Sequence, residues 1–201
     1  TLDSWIAYPN FRLLWMGNFC ANGAQWLQLL SVGWLVQELT EGSSSLALLV
    51  ITVQAVNTLP SLVVSPWSGV LGDRVDRRKL VMGIQLFMAA VAFSFALLVL
   101  TEWVQVWHAF AYILISGVCR SMIQPLRQAL IANTVPREAL GNALATNVLT
   151  ITSTRLIGPF VGGILIATLG FFWNFAVEGL LYLGMVLAYL PMRTPYYRPS
   201  A

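Results

Sequence analysis

The sequence predicts an all-α membrane protein, a bundle of six transmembrane helices with both termini on the cytoplasmic side. Three observations carry that prediction. The first is composition: 58% of the 201 residues are hydrophobic and 9% charged, with a mean hydropathy of +0.74, so a water-soluble fold would leave large apolar areas facing solvent. The second is pattern. Apolar runs of about 20 residues or more, enough to cross roughly 30 Å of hydrocarbon, recur between short polar or Gly/Pro breaks. The third is charge placement, because Arg12, Arg74, Arg77, Arg78, Lys79, Arg127, Arg137, Arg193 and Arg198 all fall toward one side of those runs. Connectors on the other side carry Glu38, Glu41 and Glu102. The positive-inside rule then places both ends of the chain in the cytoplasm.

The predicted spans, in order, are 11–36, 45–71, 80–100, 104–133, 138–169 and 171–190, followed by a cytoplasmic linker or tail over 192–201. Alternation of apolar and polar residues over about ten positions, the mark of a membrane barrel strand, is absent. Trp and Tyr residues cluster toward span ends, as in interfacial belts. Pro136, Arg137 and Glu138 mark the start of the fifth span, since proline tolerates the first helical turn and an early Glu suits the positive end of the helix dipole. Pro60, Pro66, Pro125 and Pro159 are expected to kink or loosen their helices. The chain shows no basic n-region with a small-residue cleavage site near its start, so the first span is expected to be retained.

Several function classes find no support. The net charge of +3 sits beside spans rather than along an exposed face, which argues against nucleic acid. Cys20 and Cys119 lie inside apolar runs without ligand spacing and are expected to be buried thiols. His108, the sole histidine, lies near the outer start of the fourth span, where an interfacial role is expected. No metal cluster, phosphate-binding loop or Gly-x-Ser-Gly nucleophile is present, so neither a cofactor nor an enzymatic activity is expected.

Polar residues recur at helical spacing on three spans: Asn18, Asn22 and Gln25; Gln54, Asn57, Ser61 and Ser65; Arg120, Gln124 and Arg127. Such faces avoid lipid, and they either line a watery cavity or bond between helices. Ions inside spans are sharper signals, because even lenient insertion scales assign about 2.5–3.5 kcal/mol to an Arg at a helix centre. Arg120, Arg155 and Glu178 are three such residues. Arg155 and Glu178 lie on consecutive spans at depths differing by roughly 8 Å at 1.5 Å rise per residue. Either they form a static buried ion pair, or they serve substrate binding or proton coupling.

The connector from Gly69 to Val81 reads GVLGDRVDRRKLV. It matches Gly-x-x-x-Asp-Arg-x-Gly-x-Arg-Arg at Gly69, Asp73, Arg74, Arg78 and Lys79, with Asp76 in place of the second Gly. On these residues the chain resembles the N-terminal six-helix half of the major facilitator superfamily transporters. Pro125-Leu-Arg-Gln-Ala and Val135-Pro-Arg-Glu-Ala-Leu-Gly-Asn-Ala143 further resemble the enterobactin-exporter-like and macrolide-efflux-like branch. The resemblance implies that Gly69, Asp73, Arg74, Arg77, Arg78 and Lys79 form a cytoplasmic latch closing one access state; the alternative is a plain topogenic turn. Gly158-Pro-Phe-Val-Gly-Gly163 resembles the core of the drug/proton antiporter motif, which makes Gly158, Pro159, Gly162 and Gly163 either a hinge or seal or a simple packing seam. It also favours a cavity along the first and fourth helices, with Asn18, Asn22, Gln25, Gln54, Asn57, Arg120, Gln124, Arg155 and Glu178 as candidates for substrate or coupling contacts.

These features imply a secondary active transporter, an exporter of amphiphilic small molecules working by alternating access in a bacterial cytoplasmic membrane. Its expected partners are the lipid bilayer, a small-molecule substrate and a second six-helix half, because the family uses two bundles and 201 residues supply one. That second half is either the rest of a longer chain or another copy. A non-transporting membrane scaffold subunit is the alternative.

Overall fold

The computed structural model describes residues 3–40, 52, 55–64 and 75–195. Among these residues every regular element is a helix. A short α1 (Asp3–Ala7) leads into α2 (Pro9–Leu39). Next come α3 (Ala55–Val64), α4 (Arg77–Leu100), α5 (Val106–Thr134), α6 (Leu140–Leu169) and α7 (Phe171–Tyr189). The chain is an all-α membrane bundle.

Local chemistry sets the helix ends. Pro9 occupies the first turn of α2, where its missing N–H costs nothing. Asp76 caps α4, its carboxylate accepting from the Arg78 backbone N–H at 2.9 Å, so the residue that replaces a glycine in the connector signature has a local task. His108 Nδ1 accepts from the Gln105 N–H at 3.0 Å and closes the start of α5. The chain enters α6 through a 3-10 turn at Arg137–Ala139. Between α6 and α7 the backbone reverses at Gly170, whose φ of 88° favours glycine.

Four helical segments are long and apolar enough to cross a bilayer: Arg77–Leu100, Val106–Thr134, Arg137–Leu169 and Phe171–Tyr189. At 31 residues α2 has the length, but Asn18, Asn22, Gln25 and Gln28 dilute its apolar character. Large apolar side chains such as Leu62, Phe160 and Leu187 point outward, as lipid-facing residues do.

Two apolar clusters form the interior. One joins α4, α5 and α7 through Phe95, Tyr112 and Phe175, with Phe95 stacked on Tyr112 at 4.4 Å and edge-on to Phe175 at 4.8 Å. The other gathers Phe11, Leu14, Leu130 and Tyr189 near the opposite end. At that end the Arg78 guanidinium donates to the Leu190 carbonyl at 2.6 Å, the Arg193 N–H to Asn10 Oδ1 at 2.8 Å and the Ser4 hydroxyl to the Ala139 carbonyl at 3.3 Å. The starts of α2, α4 and α6 and the end of α7 are thereby tied at one rim.

Candidate functional site

α2 is the helix around which the polar interior is organised. Its Asn18 is 1% exposed and accepts at Oδ1 from two donors, Arg127 Nε at 2.7 Å and the Tyr189 hydroxyl at 2.9 Å. A second guanidinium nitrogen of Arg127 reaches the Asn18 backbone oxygen at 3.2 Å. The Asn18 amide in turn donates to Asn147 Oδ1 at 3.1 Å. One side chain therefore links α2, α5, α6 and α7. Gly17 makes room for this, because a Cβ there would meet the Tyr189 ring at 2.6 Å.

Charge placement alone put Arg127 at the cytoplasmic edge. Instead it is buried, held by the side-chain and backbone oxygens of Asn18 in place of headgroups. Arg120, two turns earlier on α5, faces the Gln25 side chain; with that amide turned so its oxygen faces the guanidinium, all three Arg120 nitrogens lie 2.6–3.0 Å from it.

Between α2, α3, α4, α5 and α7 lies a recess of about 30 Å³ whose polar wall includes Gln25, Gln28, Asn57, Gln85, Arg120 and Arg127. A second cleft, about 220 Å³, runs between α3 and α5 and shares Asn57, Arg120 and Gln124 with the first. Close approach of α5 to α3 is permitted at Gly117, where a Cβ would meet the Asn57 carbonyl oxygen at 2.6 Å. Gln28 Nε2 and Gln85 Oε1 are buried without hydrogen-bond partners. An unpaired buried amide is costly, and both amides border the recess.

Glu178 does not meet Arg155. The carboxyl is fully buried on α7, accepts from the Tyr112 hydroxyl at 2.6 Å and keeps its second oxygen unpaired. Arg155 is exposed on α6, its guanidinium 5.5 Å from the Trp26 ring centroid. The ion pair considered from depth alone is absent because the two side chains leave their helices in different directions. A cation over an indole face needs no carboxylate.

Of the other sequence candidates, Asn22 is buried with its amide nitrogen unpaired and lines neither cavity. Gly158 and Gly162 face α2: a Cβ at Gly158 would meet Trp26 Cβ at 2.5 Å, and one at Gly162 would meet Leu27 at 3.1 Å. Gly163 looks into open space, and Pro159 sits inside a continuous helix. Arg77, Arg78 and Lys79 form the first turn of α4. Gln54, Gly69, Asp73 and Arg74 lie outside the described residues.

Sequence reasoning missed Gln28, Gln85, Tyr112, Asn147 and Tyr189. Gln28 extends the Asn18, Asn22 and Gln25 series by a further helical step and was within reach of the same argument. Gln85 and the two tyrosines stand singly in apolar helices, where only the fold shows what they face. Asn174 was missed as well: it accepts from Ser31 and donates to the Gly162 carbonyl, clipping α2, α6 and α7 together.

Comparison with known proteins agrees with this architecture. The model of the transmembrane secretion effector family matches residues 4–198. The multi-drug resistance efflux pump PmrA of Streptococcus pneumoniae is 28% identical over 179 residues, 89% of this chain and 43% of that protein. The multidrug resistance protein MdtG is 31% identical over 157 residues in Yersinia enterocolitica, covering 78% of this chain and 36% of the relative. In Enterobacter lignolyticus it is 30% identical over 162 residues, covering 80% and 37%. The chain thus spans less than half the length of the curated relatives it matches. With its helical bundle, polar interior and nearly end-to-end family match, this chain belongs to the transmembrane secretion effector family of the major facilitator transporters.

Proposed function

We propose that this chain forms one six-helix half of a secondary active exporter of amphiphilic small molecules that works by alternating access. In this reading α2 and the segment around α3 cross the membrane together with the four more apolar helices. The rim bearing Arg12, Arg77, Arg78, Lys79, Arg137 and Arg193 faces the cytoplasm, as the positive-inside rule requires. The membrane is the bacterial cytoplasmic one, in keeping with the bacterial relatives.

The observation that carries the reading is the polar recess and cleft between α2, α3 and α5, inside a bundle whose outer surface is apolar. Hydrocarbon gives polar groups no partners, so a wall of amides and guanidinium groups there suits a path for water or a solute. Gly69 to Lys79 is the latch in this scheme, with Asp76 fixing the start of α4 and Arg78 tying it to the end of α7. Gly158 and Gly162 form the seam that keeps α6 on α2 while the bundle rocks as a unit against a second half. That second half is the remainder of a longer polypeptide or another copy of the chain. Glu178 is the coupling candidate, a carboxyl shielded from lipid with one oxygen free.

Flux measurements test the proposal. Proteoliposomes containing the chain, alone and with a second six-helix half, are loaded with a panel of lipophilic dyes. Gradient-driven dye movement that disappears in Asp73→Asn and falls in Arg120→Gln is expected. No movement in either format, with correctly inserted protein, overturns it.

A further inference from the structure

A cation enclosed in a membrane bundle ordinarily faces an anion, and Arg127 faces none among the described residues. It is 7% exposed, and its hydrogen bonds go to the side chain and backbone of Asn18, both neutral, leaving donors of its five-donor fork unspent. Arg120 lies seven residues earlier on the same face of α5, about 10 Å away along the axis. It meets the Gln25 amide, a neutral group.

Both arginines line the recess of about 30 Å³, and Arg120 also lines the adjoining cleft of about 220 Å³. Among the described residues no Asp or Glu lines either cavity. Glu178, the one described acidic side chain buried in the bundle, is engaged by Tyr112 and lies outside both walls. Arg127, buried, and Arg120, exposed toward the cleft, have no carboxylate beside them among the described residues and set a positive potential on the cavity. Holding the Arg127 charge buried without a carboxylate costs folding stability, and an ionisable group inside a membrane bundle points to a functional site.

We propose that the recess binds the anionic head of an amphiphile, in particular a carboxylate, between Arg127 and Arg120, with Arg120 standing where the recess meets the cleft. The planar guanidinium fork matches a carboxylate in two parallel hydrogen bonds. The recess of about 30 Å³ is small enough to enclose only a head group, and the adjoining cleft of about 220 Å³ leaves room for the rest of the molecule beside Arg120. Ala21, Met88 and Ile123 supply apolar contact beside the two charges. This inference rests on the transport reading above and adds the charge class of the substrate.

Binding calorimetry on the purified chain in detergent, with 2-naphthoate, 2-naphthamide and trimethyl(2-naphthylmethyl)ammonium as probes, tests it. Naphthoate is expected to bind about tenfold or more tightly than the amide, and the ammonium probe most weakly. Arg120→Gln brings naphthoate down to the amide's affinity, Arg120→Lys keeps part of the preference, and Arg137→Gln, at the rim, leaves it intact. Because Arg120 is exposed on this chain, its variants keep the test open even if Arg127→Gln does not fold. Equal binding of the three probes, tighter binding of the ammonium, no binding of any probe, or a naphthoate preference that survives Arg120→Gln overturns the proposal. Flux separates the two readings: vesicles that move cationic dyes while naphthoate fails to bind keep the exporter and discard the anion site. Naphthoate bound but no probe moved does the reverse.

Discussion

α2 meets its neighbours in two opposite ways. Toward α6 it presents Trp26, Leu27 and Leu30 to a ladder of small residues, Thr154, Gly158 and Gly162, spaced four apart and all buried. Toward α5 it presents Asn18, Gln25 and Gln28 to Arg120 and Arg127, with a recess between. The first contact is close packing of large on small, where backbone approach supplies dispersion energy. The second is held by a few strong polar bonds around unfilled space. One face of the helix is closely packed, and the other borders unfilled polar space.

That contrast is open to direct attack, and the largest effect is expected at the polar face. Asn18→Ala removes the acceptor shared by Arg127 and Tyr189 and leaves a buried guanidinium without its main partner. It should cost about 3–5 kcal/mol, read as a drop in unfolding midpoint in detergent. If the variant is as stable as the parent, the network is not what holds α5 to α2.

Next comes the seam. Gly158→Ala places a methyl group 2.5 Å from Trp26 Cβ, an atom too near the backbone to swing aside, and should cost about 1–3 kcal/mol. Gly163→Ala, on the same helix but facing open space, should stay within about 0.5 kcal/mol. Equal effects at the two glycines would mean that α6 is not seated on α2 through Gly158.

Tyr112→Phe, which removes one hydrogen bond to Glu178 but keeps the stacking on Phe95, falls between the seam and Gln85 in size. About 1–2 kcal/mol is expected from the same unfolding measurement. Gln85→Leu turns the comparison around. Because Gln85 Oε1 is buried and unpaired, an apolar side chain of similar size should leave stability unchanged or raise it by about 1 kcal/mol. The same change should reduce probe binding in calorimetry, and stability lost along with unchanged binding would show the amide to be structural.

Much of the architecture was legible before any coordinates. Long apolar runs broken by Gly170 or by Pro136 and its neighbours give the all-α membrane class, since only a helix satisfies its own backbone in lipid. The connector signature pointed to the family. The site was legible in part: helical spacing singled out Gln25, Asn57, Arg120 and Gln124, which the fold brings to one cavity wall. It could not pair them, because spacing along one helix gives a face and leaves the partner helix open. Arg155 and Glu178 show the failure plainly, lying on consecutive spans yet turned toward an indole and a phenol respectively. Arg127 shows the reverse case, a cation that charge counting assigns to the rim and packing draws inside.

By itself the sequence determined the medium, the helical class and the distribution of charge along the chain, because each follows from local composition and from the free energy of moving single residues between water and hydrocarbon. Tertiary structure alone decided which polar groups share a cavity, which glycine touches a neighbour and which guanidinium is drawn inside onto an amide. Those outcomes depend on the rotation of each helix about its axis and on which helices become neighbours. Both are set by the summed packing of many weak contacts from distant parts of the chain.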